Sequence, residues 1–174
     1  MSNIDYDKLK FKSGLEIHQQ LDTCKLFCNC PSILRSDKPD FYVERKLHAV
    51  AGESGEVDRA AEYQASLKKT FVYQVYKDNN CLVELDEEPP YEINQEALKI
   101  ALQISLLLNC KIINNTQIMR KTVIDGSNTS GFQRTVLIAR GGHVETKQGR
   151  VGIDTICLEE DSARKVKTEG DKIY

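Results

Sequence analysis

Hydrophobic and polar residues alternate over residues 13–21, where Leu15, Ile17 and Leu21 share one face and Glu16, His18 and Gln20 the other. A period of two predicts a first β-strand. Residues 41–50 carry a second strand-like run, with Tyr42 and Arg45 as its candidates for surface contact. Residues 60–67 have weak helical character. Residues 69–76 and 81–85 alternate strongly, and Lys77-Asp78-Asn79-Asn80 between them predicts a β-hairpin. Asp86-Glu87-Glu88-Pro89-Pro90 then breaks the strand.

The strongest helical pattern covers residues 95–108. Asn94 is placed to cap it, Glu96 lies in its first turn, and Asn109 can end it in left-handed geometry. Leu98, Ala101, Leu102, Ser105 and Leu106 form the expected buried stripe. Three strand-like segments follow at 110–120, 132–140 and 150–158, the last two joined by residues 141–149 as a long hairpin tip. The elements add up to an α+β fold, an antiparallel-rich mixed sheet with one prominent helix.

A chain of 174 residues buries one core, so a single domain is expected. With 40% hydrophobic and 29% charged residues it reads as a soluble globular protein. No apolar run approaches the ~20 residues of a membrane span. The start, MSNIDYDKLKFK, lacks the apolar stretch of a signal peptide. A cytoplasmic protein with no membrane partner is expected. The net charge of −2 excludes indiscriminate nucleic-acid binding through bulk charge and leaves room for a local basic face.

Candidate chemistry sits at the two ends. On an extended strand the α-carbons of Glu16 and His18 lie about 6–7 Å apart with side chains on one side. A carboxylate and an imidazole held so can grip a metal ion, and Leu158-Glu159-Glu160-Asp161 offers carboxylates to complete the sphere. The plain alternative is a solvated polar face in both places. Magnesium prefers oxygen ligands, whereas an imidazole equally suits zinc or manganese. Six cysteines in a cytosolic chain argue against disulfides. Cys24, Cys28 and Cys30 follow a C-x3-C-x-C spacing that can supply three thiolates to zinc. Cys81, Cys110 and His48 stand isolated, no fourth ligand is evident, and plain buried thiols are the alternative. His143 is expected to be exposed and inert. In the Gly126–Gly131 loop, Ser127, Ser130 and small neighbours let backbone N–H groups approach phosphate oxygens. Arg120, Lys121 and Arg134 can offset phosphate charge. A flexible hairpin loop has the same composition.

Three runs, GLEIHQQLDT-CKLFCNC, RKTVIDGSNTSGFQRT and GRVGIDTICLEEDSARK, together resemble the amino-terminal part of the B/E family of tRNA-dependent amidotransferase subunits. Gln19-Gln20 and the Asp125–Gly131 loop resemble its archaeal E branch, the glutamyl-tRNA(Gln) amidotransferases. The resemblance implies that residues 1–174 are the amino-terminal part of a kinase-like catalytic (cradle) domain whose carboxy-terminal domains lie outside this chain. It implies phosphorylation of the side-chain carboxylate of glutamyl-tRNA(Gln) by ATP, and amidation by ammonia to glutaminyl-tRNA(Gln). ATP and Mg2+ are the implied cofactors, with an asparaginase-like ammonia-producing subunit as partner. Glu16, His18 and Glu160 become the catalytic candidates. Glu16, His18, Glu159 and Glu160 become the metal candidates, Glu160 being favoured over Glu159. Arg120, Lys121, Ser127, Ser130 and Arg134 become candidates for nucleotide or tRNA phosphates. Some members of the B branch carry a C-x-C plus C-x2-C zinc site, and here only the first half is evident. In a fragment of such a protein the stretch Lys172-Ile173-Tyr174 is expected to leave an open sheet edge. A non-catalytic, zinc-stabilised or docking module of a tRNA-binding complex is the alternative.

Overall fold

A computed structural model of the chain describes residues 5–6, 8–10, 12–46, 49, 51, 55–57, 59–123 and 132–174. Its elements are β1 (Phe41–Lys46), α1 (Arg59–Ser66), β2 (Thr70–Val75), α2 (Gln95–Leu107), β3 (Lys111–Ile112), β4 (Met119–Thr122), β5 (Phe132–Thr146), β6 (Gly149–Asp161), β7 (Thr168–Glu169) and β8 (Lys172–Ile173). Two sheets form. One runs β1-β2-β8-β7, with only the β2–β8 pair parallel. In the other, β6 pairs along β5, while β4 pairs with the start of β5 and β3 with its middle, at Ala139 and Arg140. The α+β, antiparallel-rich expectation holds.

The long β5/β6 hairpin is the scaffold. Its strands run past the residues expected to form a long tip, and only Lys147 and Gln148 turn. The pair Gly141-Gly142 that suggested a turn serves a close backbone approach instead. A Cβ at Gly142 would overlap Cys110 Sγ and Leu108 O, while the next residue, His143, donates its N–H to Leu108 O at 2.8 Å. His143 is accordingly half-buried in a strand, not exposed at a tip.

The hairpin expected at 69–85 is corrected too. Only its first half is a strand. Residues 77–86 fold into turns because side chains satisfy the backbone locally: Asn80 Oδ1 accepts from Tyr76 N–H at 2.9 Å, and Glu84 Oε2 from Cys81 N–H at 2.6 Å. β2 pairs instead with β1 and β8. Lys172 and Ile173 therefore have partners on both sides, from Thr70-Phe71 and Thr168-Glu169, in place of the expected open edge.

Residues 13–21 form no strand. Leu15 is 93% and Ile17 86% exposed, and only Leu21 packs against the core. Alternation assigns faces, but a strand also needs a neighbour for its N–H and C=O groups, and among the described residues none pairs with this segment.

Helix α2 forms as expected. Asn94 Oδ1 accepts from the N–H groups of Glu96 and Ala97, both at 3.0 Å, and Asn109 takes a φ of 55°. Its buried line is Ala97, Ala101 and Ser105, rotated by about 100°, one residue, from the line through Leu98, Leu102 and Leu106. Small residues there let the helix lie close on the hairpin, with Leu98 and Leu102 wedged at the sides and Leu106 left exposed. The core joins Phe27, Ala97, Ala101, Val136, Ile138 and Leu158. Among the described residues no helix is long and apolar enough to cross a membrane.

Candidate metal centre and its flanking clusters

Register decides which candidates meet. Thr135 faces Glu159 across β5/β6, and Arg134 faces Glu160; across β4/β5, Arg120 faces Arg134 and Lys121 faces Gln133. Alternation then sends Lys121, Gln133, Thr135, Glu159 and Asp161 to one face, and Arg120, Arg134 and Glu160 to the other, where α2 packs.

On the first face Glu159 joins Glu16 and His18. One ligand atom from each lies within 4.8 Å of the other two, and His18 Nε2 is 3.2 Å from Glu16 Oε1. The Glu16 and His18 side chains are 80% and 70% exposed. Among the described residues both hydrogen bonds to Glu159 fall on its Oε1, from the Thr135 hydroxyl at 3.1 Å and from Lys121 Nζ at 3.3 Å. Thr135 lies equally 3.1 Å from Gln133 Oε1, and Gln133 Nε2 donates to Asp161 Oδ1 at 2.9 Å. Two carboxylates and an imidazole open to water suit a hard divalent cation that keeps waters or phosphate oxygens in its sphere. Thr135 and Gln133 were not legible as site residues. Their signal was register, which places them on the same face as Glu159.

Glu160, the glutamate favoured on sequence, points away from this trio. Its Oε2 accepts the Leu26 N–H at 2.6 Å, and burial raises its pKa, with the Leu26 bond acting in the opposite direction. It ties the Leu26–Cys30 loop to β6. Arg120 and Arg134 also lie across the sheet from the trio, so of the three cations only Lys121 stands beside it. The two arginines converge with Arg45 on Asp86, at 3.0 Å from Arg120, 3.3 Å from Arg134 and 3.1 Å from Arg45. Burial alone would raise the Asp86 pKa, but hydrogen bonds and charge from Arg120 and Arg45 lower it below the usual value. Arg120 and Arg134 also stack on the Phe132 ring, 4.3 and 5.4 Å from its centroid. A cavity of about 340 Å³ opens beside them, floored by Pro89, Pro90 and Ile118. Ser127, Ser130 and His48 lie outside the described residues.

The cysteine cluster differs in membership from the spacing-based set. Cys28, Cys30, Cys81 and Glu84 bring one ligand atom each within 4.8 Å of the others, while Cys24 is exposed and outside the group. Cys81 and Glu84 arrive together through a C-x2-E spacing, the signal missed on sequence. The Cys28 thiol donates to Glu84 Oε1 at 2.8 Å, and Lys25 Nζ lies 3.0 Å from the same oxygen. Burial opposes ionisation of Glu84, but bonds from Cys28 and Cys81 N–H, with the Lys25 charge, hold its pKa at about 2. Burial, then the Glu84 charge, pushes Cys30 up to about 11; burial and the Glu84 hydrogen bond drive Cys28 strongly upward.

Residues 11–174 match the GatB/GatE catalytic domain. The chain is 56% identical over 171 residues to the E-type subunit of the glutamyl-tRNA(Gln) amidotransferase of Methanocaldococcus jannaschii, covering 98% of this chain and 27% of that protein. It is 52% identical over 164 residues to the corresponding protein of Methanococcus maripaludis, covering 94% and 26%. For the counterpart from Methanosarcina acetivorans the identity is 50% over 175 residues, covering 99% and 28%. The chain thus spans about a quarter of the length of these curated relatives.

Proposed function

The chain belongs to the GatB/GatE catalytic domain family, and on that premise we propose that it is the amino-terminal part of the kinase-like domain of a tRNA-dependent amidotransferase. Its substrates are glutamyl-tRNA(Gln), ATP and ammonia, and its setting is the cytoplasm. The observation that carries this reading is the Glu16–His18–Glu159 group, water-exposed and flanked by Lys121.

The reaction needs a better leaving group than oxide on the glutamyl side chain. An oxygen of the γ-carboxylate takes the terminal phosphoryl group of ATP, and ADP leaves. Ammonia then attacks the acyl carbon, inorganic phosphate departs, and the nitrogen loses a proton to give the amide. Such phosphoryl transfer depends mainly on positioning and on charge neutralisation. Glu16, His18 and Glu159 would hold Mg2+, which when bound supplies charge neutralisation to the phosphate oxygens. Lys121, 3.3 Å from Glu159, adds a mobile cation on the same face. Arg120 and Arg134 serve phosphates only at a second locus across the sheet. By the family resemblance, an asparaginase-like partner protein supplies the ammonia. The assembled enzyme that carries this chain offers two tests. His18→Ala should abolish phosphoryl transfer from ATP to glutamyl-tRNA(Gln), and unchanged transfer would refute the reading. Without the partner, free ammonium should support amidation and glutamine should not.

A second reading is favoured by the four-ligand cluster of Cys28, Cys30, Cys81 and Glu84, a donor set suited to a structural zinc. To bind zinc, the thiols there would give up their protons and Glu84 would turn from its pairing with Lys25. Metal content of the purified chain tests it: one zinc per chain that Cys81→Ser removes, against none.

A further inference from the structure

Thr135 and Gln133 are buried polar side chains on the same face as Glu159, and buried polar groups need hydrogen-bond partners. Their hydrogen bonds form a line. Asp161 Oδ1 receives Gln133 Nε2 at 2.9 Å, which turns Gln133 Oε1 toward the Thr135 hydroxyl; that hydroxyl lies 3.1 Å from Gln133 Oε1 and 3.1 Å from Glu159 Oε1. A hydroxyl has one proton. It is therefore shared between a neutral amide oxygen and a carboxylate, and a bond to the charged acceptor is the stronger of the two. Lys121 Nζ approaches the same Oε1 at 3.3 Å. Among the described residues Glu159 is thus gripped by one oxygen only.

We propose that Thr135 is a positioning residue whose hydroxyl, for whose one proton Gln133 Oε1 competes, holds Glu159 by Oε1 so that Oε2 stays available to a divalent cation shared with Glu16 and His18. The proposal rests on the metal reading above and goes beyond it, because none of the three residues in the line would touch the ion. Outer partners of this kind set the direction of a carboxylate ligand, and losing one typically weakens metal binding ten- to a hundred-fold. The arrangement also accounts for two buried polar side chains beneath an exposed site. A loose Glu159 would sample many rotamers, whereas one pinned by a group on its neighbouring strand meets Glu16 and His18 already oriented.

The test uses Mn2+ as the probe, titrated into the full chain and followed by the electron paramagnetic resonance of the free ion. Thr135→Val should weaken Mn2+ binding ten-fold or more with the thermal midpoint retained, and Thr135→Ser should restore it. Gln133→Met leaves Glu159 as the hydroxyl's sole acceptor, so binding should hold or tighten. If Thr135→Val disturbs folding, Thr135→Ala read against Thr135→Ser decides in its place. The positioning role is overturned if Thr135→Val binds like the parent chain while Glu159→Gln and His18→Ala have lost binding. It is equally overturned if Gln133→Met weakens binding as much as Thr135→Val, since packing would then be the cause. If Glu159→Gln and His18→Ala themselves bind Mn2+ like the parent chain, the metal reading is what fails, and the proposal falls with it.

Discussion

The two faces of the β4-β5-β6 sheet carry opposite electrostatic designs built from adjacent residues. On one, Glu16, His18 and Glu159 gather negative charge in water with Lys121 beside them. On the other, Arg45, Arg120 and Arg134 close on one carboxylate, Asp86, with Arg134 only 4% exposed. The first group has little to do with holding the fold, because exposed charges gain little from one another in water. The second is bound into the structure, because a buried guanidinium without its partner is costly. Adjacent residues such as Arg120 and Lys121, or Glu159 and Glu160, thus belong to different machines, and alternation alone divides them.

The largest effect on stability should come from breaking the arginine knot. Asp86→Ala leaves Arg134 buried without its carboxylate and should cost about 3 kcal/mol, read as a lowered midpoint in chemical denaturation. Glu16→Gln on the other face should leave that midpoint unchanged; equal losses would erase the distinction. Two carboxylates, buried Glu84 and half-buried Glu160, should then respond to acid in opposite senses. Glu84 has its pKa lowered from 4.5 to about 2, so its contribution is present above pH ~4.5 and is lost as pH falls toward 2. Glu84→Gln should flatten the acid-side loss of stability. Glu160 has its pKa raised by burial, so its ionisation works against the fold: its contribution is full below the unfolded pKa and fades as pH rises through the folded one. Glu160→Gln should therefore help more at pH 7 than at pH 4, and the reverse order would show that the Leu26 bond outweighs burial. The smallest effect is expected at the helix cap, where Asn94→Ala should cost about 1 kcal/mol without altering either face.

Local rules were legible in the sequence wherever one residue satisfies one backbone need. Asn94 capped and Asn109 closed α2 as their chemistry requires, and the strand-like runs at 41–50 and 132–140 begin where β1 and β5 begin, β1 ending at Lys46 and β5 running on to Thr146. What escaped depends on partners distant in sequence. The alternation of residues 13–21 was real, but a ladder neighbour is not written into the segment itself. The glycines at 141–142 looked like a turn because the carbonyl of Leu108 that needs their space lies more than thirty residues away. For the site, the motif pair Glu16-x-His18 and Glu159-Glu160 was visible, while the choice between the two glutamates was a matter of register between β5 and β6. The same holds for Cys81 and Glu84, which a turn of the chain rather than a cysteine motif brings to Cys28.

The central claim is that Glu159, not its neighbour Glu160, completes a cation site with Glu16 and His18. Mn2+ affinity of the chain measured for Glu159→Gln and Glu160→Gln side by side tests it most directly. Glu159→Gln should weaken binding at least ten-fold and Glu160→Gln should leave it within about two-fold of the parent, on the order expected for a direct ligand against a residue across the sheet. Loss of binding in Glu160→Gln with Glu159→Gln unaffected would contradict it.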